Sequence, residues 1–262
     1  MQDYPRIEII LSDDGTPGFP SDAEKILRYI TEHKRNNIER FYINSLKENV
    51  GTVRNMNSGL GFCKGEFIKA ISSEDTLNSC DAISKYVDFI LSTDFLIVFA
   101  KMRGITQNGE IKNELLACES DYDMLKKLNP KETANRLFKR NFLPAPAWMI
   151  RKALFERYGL FPEKSRLIED YPYWITLSLQ DVSFGYLDEV LIDYRLSGES
   201  SGGTYGKTFM NDMNILSKSL IENFVSDWEP ISKKIIDEHK GKIEFETKPN
   251  KGTICTITIP YV

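Results

Sequence analysis

Three pairs of adjacent acids punctuate the chain: Asp13-Asp14, Glu74-Asp75 and Glu169-Asp170. Each falls where an apolar run ends or a helical pattern begins. Carboxylates gathered beyond the carboxyl ends of neighbouring strands can hold a divalent cation, which in turn holds phosphate oxygens. A further carboxylate at the same rim can take the proton of an attacking hydroxyl. Each pair also has a plainer reading. Asp-Gly after a strand is a common turn, and acids at a helix start complement the helix dipole. Their joint order, each at an element boundary, favours the chemical reading.

The elements that must position these acids follow from periodicity. Ile7-Glu8-Ile9-Ile10-Leu11 reads as a strand ending at Ser12-Asp13-Asp14-Gly15-Thr16. Ser21 and Glu24 have capping-box spacing, and Ala23, Ile26, Leu27 and Ile30 follow at helical spacing. Phe41-Tyr42-Ile43 is a second strand, Asn49 to Gly65 a polar glycine-bearing stretch, and Glu66 to Ile71 a third strand. A helix is expected around Cys80 to Phe89 and a strand from Asp94 to Ala100. Residues 104–140 mix loop and helix signals. Pro144 and Pro146 argue against an internal helix over 141–150. Arg151 to Tyr158 reads as a helix stopped by Gly159, and Glu169-Asp170 opens another through Leu179. Short strands are expected at 184–187 and 190–194. This strand and helix rhythm is that of an α/β domain.

Composition narrows the classes. The chain has 262 residues, 41% of them hydrophobic and 27% charged, which excludes a disordered or low-complexity protein. With 34 basic and 38 acidic side chains the net charge is −4, against a nucleic-acid binder driven by phosphate neutralisation. Cys63, Cys80, Cys118 and Cys255 form no CxxC pair, which argues against a structural zinc site and fits a reducing cytosol. No apolar run approaches the ~20 residues that span a bilayer.

After Ser200 the composition changes. Residues 201–206 read as a joint and 208–225 as a helix. Pro230 to Gly241 reads as a further helix. Ile243, Phe245 and Thr247, then Cys255, Ile257 and Ile259, alternate as in a hairpin turning at Pro249-Asn250-Lys251-Gly252.

Several motifs together resemble family 2 glycosyltransferases. Asp13-Asp14-Gly15-Thr16 is similar to that family's DDGS element. Asn49-Val50-Gly51 and Asn55-Met56-Asn57-Ser58-Gly59 resemble its N-x-G segments. Ser72-Ser73-Glu74-Asp75 stands at the D-x-D-D metal motif, with Ser72 replacing the first acid. Met149 to Lys152, Tyr158-Gly159-Leu160-Phe161 and Glu169-Asp170 match the acceptor half. Tyr194-Arg195 with Ser200 resembles the closing YR…S element, and Ser197 stands near where many relatives carry a histidine. The resemblance spans roughly residues 4–201.

It implies an α/β GT-A (Rossmann-like) fold, a mostly parallel sheet flanked by helices, followed by a C-terminal helix and β-hairpin. It implies inverting, hexosyltransferase-like transfer of a sugar from a nucleotide-sugar donor to a glycan or lipid-linked acceptor hydroxyl. Such work commonly belongs to cell-surface polysaccharide synthesis in the cytoplasm, at the inner membrane face, with peripheral membrane association. By carry-over, Asp13 and Asp14 contact the nucleoside. Glu74 and Asp75 hold a divalent cation (Mg or Mn) or the donor sugar. Asp170, with Glu169 beside it, takes the acceptor's proton. Tyr194 and Arg195 help to shape the donor pocket.

Family members begin with a strand and a Tyr-Asn loop ahead of the DDGS strand. This chain opens at the second strand, which implies a domain truncated at its N-terminus and lacking its usual first strand. Residues 231–243, 251–253 and 256–260 resemble the end of a sensor histidine kinase ATPase domain. The expected organisation is a transferase-like domain over 1–205, a helical linker over 206–228 and a kinase-like fragment over 229–262. The other reading is an inactive fusion or signalling remnant that binds partners or nucleotide only.

Overall fold

Alternating isoleucines and leucine build β1 (Ile7–Asp13), which runs parallel to β2 (Ile38–Ser45) in a two-stranded sheet. Between them lies α1 (Phe19–His33). The computed structural model describes residues 2–117, 119–196, 206–216, 241–248 and 252–258. The chain divides into two compact units, Met1–Met213 and Asn214–Val262.

In the first unit a six-stranded sheet follows. Its order is β3 (Phe67–Ile68), β7 (Trp148–Arg151), β5 (Ile97–Ile105), β8 (Gly185–Arg195) and β4 (Thr76–Leu77), with β6 (Ile111–Leu115) also paired to β5. Helices α2 (Thr52–Leu60), α3 (Ala82–Leu91), α4 (Glu119–Leu125), α5 (Pro130–Leu137), α6 (Lys152–Tyr158) and α7 (Asp170–Leu179) complete it, with a 3-10 turn at Ala145–Ala147. The α/β class expected from sequence is therefore present. The sheet is more mixed than expected: β1–β2 and β5–β8 are parallel, whereas β3–β7, β7–β5, β5–β6 and β8–β4 are antiparallel.

Other expectations need correction. α1 starts at Phe19 behind Gly18, not at a Ser21–Glu24 box, and no side chain caps it. Gly18 adopts φ 81°, and Pro20 fits the first turn, where its missing N–H costs nothing. The polar stretch after Asn49 contains α2, anchored by fully buried Val53 and by Asn57, whose side chain bonds Phe161 O and N. The two strands expected over 184–194 are one, β8. The expected strand over 66–71 shrinks to β3, and residues 207–216 are helical.

The core behind α7 is aromatic. Trp174 meets Phe99 edge-on at 5.2 Å and Trp148 at 6.4 Å, while Phe161 packs on Tyr173 at 4.9 Å. Trp148, Tyr173 and Trp174 are almost wholly buried. This cluster fixes the start of α7, where Asp170 sits.

In the second unit β9 (Lys242–Lys248) and β10 (Gly252–Thr258) pair antiparallel, the hairpin expected from alternation. Ser197, Ser200, residues 201–205 of the joint expected over 201–206, residues 217–228 of the expected linker and residues 230–240 of the helix expected over 230–241 lie outside the described residues.

Candidate active site

β1 delivers Asp13 and Asp14 to a loop that turns on both side chains. The Asp13 carboxylate accepts Thr16 N–H at 3.2 Å and the Ser45 hydroxyl at 3.2 Å. Asp14 accepts Val50 N–H at 2.7 Å and Gly51 N–H at 2.9 Å, one on each oxygen. These bonds order the loop that leads into α2. Gly51 has φ 93°, and the Arg166 backbone and side chain occupy the space where a Cβ would sit. Arg166 also donates to Asn49 O at 2.7 Å and Asn49 Oδ1 at 2.5 Å, while Val53 N–H donates to Arg166 O. Asp212, 2% exposed, then accepts the N–H groups of Arg166 and Leu167. The Asp14 loop is thus bonded to the segment that carries Glu169 and Asp170.

Glu74 and Asp75 precede β4, whose pairing with β8 places them beside Arg195. Asp75 Oδ1 accepts Arg195 N–H at 2.9 Å, and Arg195 Nε donates to Glu74 O at 3.2 Å. Burial pushes the Asp75 carboxyl up. Arg195 Nη1 donates to Thr106 O and Gln107 O, each at 3.3 Å. Tyr194 lies opposite Gly104 in the β5–β8 register. Ser72 and Glu74 are exposed, and the Ser72 hydroxyl accepts Glu74 N–H at 3.4 Å.

Glu169 and Asp170 are each 8% exposed at the start of α7. Burial, then the charge of Asp170, pushes Glu169 up to about 8. Burial also raises Asp170, opposed by Tyr171 N–H and the amide of Asn141. Carboxyls raised by burial in this way suit general-base work.

Two contacting residues carry no signal in the sequence. Asn141 Nδ2 donates to Asp170 Oδ2 at 3.0 Å. Lys69 Nζ donates to Ala70 O at 2.7 Å and to Pro146 O at 2.5 Å, and its charge acts on Asp75. Burial pulls the Lys69 ammonium down to about 7. Asn141 lies on the loop that leads into the 3-10 turn holding Pro146, so the Asp75 corner and the Asp170 corner lean on one continuous segment. Spacing along the chain does not reveal such contacts, since Asn141 and Asp170 are 29 residues apart and Lys69 and Pro146 are 77 apart.

The chain is similar to known proteins. A curated glycosyltransferase of Methanocaldococcus jannaschii, itself uncharacterized, is 22% identical over 66% of this chain and 56% of its own length. An uncharacterized glycosyltransferase of Rickettsia bellii is 24% identical over 84% of this chain and 28% of its own. The chain therefore spans about half or less of the curated relatives it matches. In fold it is similar to S. aureus TarS 1-349 at TM-score 0.54 and 20% identity, over 82% of this chain and 57% of that one. The same TarS fragment solved in complex with UDP-GlcNAc gives TM-score 0.56 and 21% identity, over 82% of this chain and 58% of that one. Residues 1–159 match the pattern of Glycosyl transferase family 2, and the chain belongs to that family.

Proposed function

We propose that the chain catalyses inverting transfer of a sugar from a nucleotide-diphosphate sugar to an acceptor hydroxyl. The observation that carries this reading is the buried Glu169–Asp170 pair, tied through Arg166 to the loop that Asp14 orders. Asp170 takes the proton as the acceptor oxygen bonds the anomeric carbon. The bond from that carbon to the diphosphate oxygen breaks, and the nucleoside diphosphate leaves with the electron pair. The donor is a nucleotide sugar of the kind held by TarS, UDP-GlcNAc. Asp13, Asp14, Tyr194 and Arg195 line the donor side.

Family 2 enzymes commonly use a divalent cation. Among the described residues no group of three or more His, Cys, Asp or Glu side chains is placed to hold a metal. The donor set at this corner is Asp75, with one oxygen on Arg195 N–H, and the exposed Glu74. One or two carboxylates fit a magnesium-type ion that draws its other oxygens from a diphosphate. When bound, such an ion offsets the negative charge of the leaving group. The acceptor is a glycan or lipid-linked hydroxyl at the inner face of a membrane, in polysaccharide synthesis. No helix among the described residues is long and apolar enough to cross a membrane.

The second reading is that the chain is an inactive fusion or signalling remnant related to a sensor histidine kinase, which binds partners or nucleotide only; the antiparallel pairing of β9 and β10 in the second unit is what supports it.

The test incubates the full chain with a panel of nucleotide sugars, with and without magnesium or manganese, and follows binding and release of nucleoside diphosphate. UDP-GlcNAc binding with slow donor hydrolysis is expected. Asp170→Asn should bind donor and lose turnover. Binding of ATP with no response to any nucleotide sugar would overturn the transfer reading.

A further inference from the structure

Asn141 meets the acid pair with a fixed face. It sits on the loop between α5 and the 3-10 turn, held by Phe142 at 2% and Leu143 at 0% exposure. Its Oδ1 accepts Leu143 N–H at 3.1 Å, while its Nδ2 donates to Asp170 Oδ2 at 3.0 Å. A flipped amide would set N–H against N–H at Leu143 and oxygen against oxygen at Asp170. The Leu143 contact therefore decides that Asp170 is met by a donor, so the Asp170 oxygen there is an acceptor without a proton. The N–H groups of Tyr171 and of Asp170 itself also favour the charged form of Asp170, whereas among the described residues only its own N–H acts this way on Glu169.

We propose that Asn141 is a positioning residue that keeps Asp170, and not Glu169, as the ionised member of the pair. The inference rests on the reading that Asp170 is the general base. Adjacent buried carboxyls resist double ionisation, so the single charge must be directed to one of them. Asn141 directs it to the carboxylate that takes the acceptor's proton, and Glu169 retains the shared proton.

Neighbouring charged groups are already committed. The Tyr171 hydroxyl donates to Leu137 O on α5. Arg136 of α5 is bound to Asp121, and Arg166 upstream is bound to Asn49. Burial raises both carboxyls, the charge of Asp170 raises Glu169 further, and N–H donors favour the ionised form of Asp170.

The test follows the side-chain carboxyl resonances of the ¹³C-labelled full chain across pH. Asp170 is expected to ionise before Glu169. In Asn141→Ala the Asp170 midpoint should rise by about one pH unit, the tenfold change that loss of one charge-directed hydrogen bond can bring. The acidic limb of the transfer-rate profile should rise with it, giving about tenfold lower rate on that limb and recovery at higher pH. A purely structural role would lower the rate equally at every pH. Asn141→Leu, of similar size and without a donor, carries the same expectation should Asn141→Ala fail to fold. Glu169 ionising first in the unmodified chain, or an unmoved Asp170 midpoint in a folded variant, would overturn the inference. The expected titration order without any turnover of nucleotide sugar would sink the transfer reading and leave the ordering of the pair intact.

Discussion

Asp75 accepts the backbone N–H of Arg195 at 2.9 Å across 120 residues of chain. Two motifs that look unrelated in sequence, the acids after β3 and the Tyr-Arg at the end of β8, therefore form one corner. The antiparallel β4–β8 pairing, Thr76 with Asp193 and Leu77 with Ile192, builds it. Arg103 then anchors Asp193 at 2.6 Å.

Asp75→Asn separates the charge at this corner from its geometry. The amide oxygen can still accept Arg195 N–H, so the thermal midpoint should move little. The negative charge disappears, and with it the attraction for a cation-bridged diphosphate. Stimulation of donor binding by magnesium or manganese should be lost while folding is retained. Calorimetric titration of nucleotide sugar with and without metal measures this, and an unchanged metal response would exclude Asp75 as a ligand.

Asp14→Ala tests whether the first acid pair is a loop organiser as well as a donor contact. The substitution leaves Val50 N–H and Gly51 N–H without their acceptor. Each unsatisfied buried donor costs about 1–3 kcal/mol, and water reaching this half-buried loop holds the sum near the low end. Chemical denaturation should report a loss of about 1–3 kcal/mol for the first unit. A variant as stable as the unmodified chain would mean that the loop is held by Arg166 alone.

What the sequence disclosed and what it hid divide along contact range. β1, α6 with its Gly159 stop, α7 and the β9–β10 hairpin follow from local periodicity and punctuation. α2 does not, because its segment is polar and carries Gly59. It is held by distant partners, Ser12 on Asn55 and Phe161 on Asn57. β8 reads as two strands because Asp188 and Glu189 interrupt its apolar run. Lys101 and Lys126 neutralise Asp188, and Lys85 reaches Glu189 at 2.7 Å, so the strand continues. The acid pairs were visible as residue types at element ends. Asn141, Lys69 and Arg166, which bond the loops around them, were not, since their partners lie 29 to 117 residues away.

Lys69 carries a prediction in pH. Its ammonium titrates near 7 in the folded chain against an ordinary 10.5, chiefly because burial disfavours the charge. Between those values the unfolded state binds the extra proton, so this residue makes stability rise from about pH 7 towards pH 10.5. Below about pH 7 both states are charged and the full penalty persists. Lys69→Met removes the penalty but strands the Ala70 and Pro146 carbonyls, a loss that does not depend on pH. The stability of Lys69→Met relative to the unmodified chain should therefore be higher at pH 6 than at pH 9. Urea unfolding at the two pH values decides it, and an equal difference at both would show that burial does not depress the ammonium.

Gly15 closes the loop between Asp14 and Thr16 and predicts a steep steric cost. Its φ is 72°, and an added Cβ would lie 2.3 Å from the Glu48 backbone carbon and 2.7 Å from Asn49 N. Gly18, with φ 81° and nothing within 4 Å of its own added Cβ, is the matched control. Gly18→Ala meets only the left-handed backbone penalty of about 1–2 kcal/mol. Gly15→Ala meets a comparable strain and must also displace the backbone at 48–49, next to the Asp14 bonds with Val50 and Gly51. Gly15→Ala should therefore lower stability by clearly more than Gly18→Ala and weaken nucleotide-sugar binding, which Gly18→Ala should leave nearly unchanged. Parallel unfolding and binding titrations of the two variants measure both effects. Equal losses would mean that the 48–49 backbone yields freely and that the loop does not depend on this close approach.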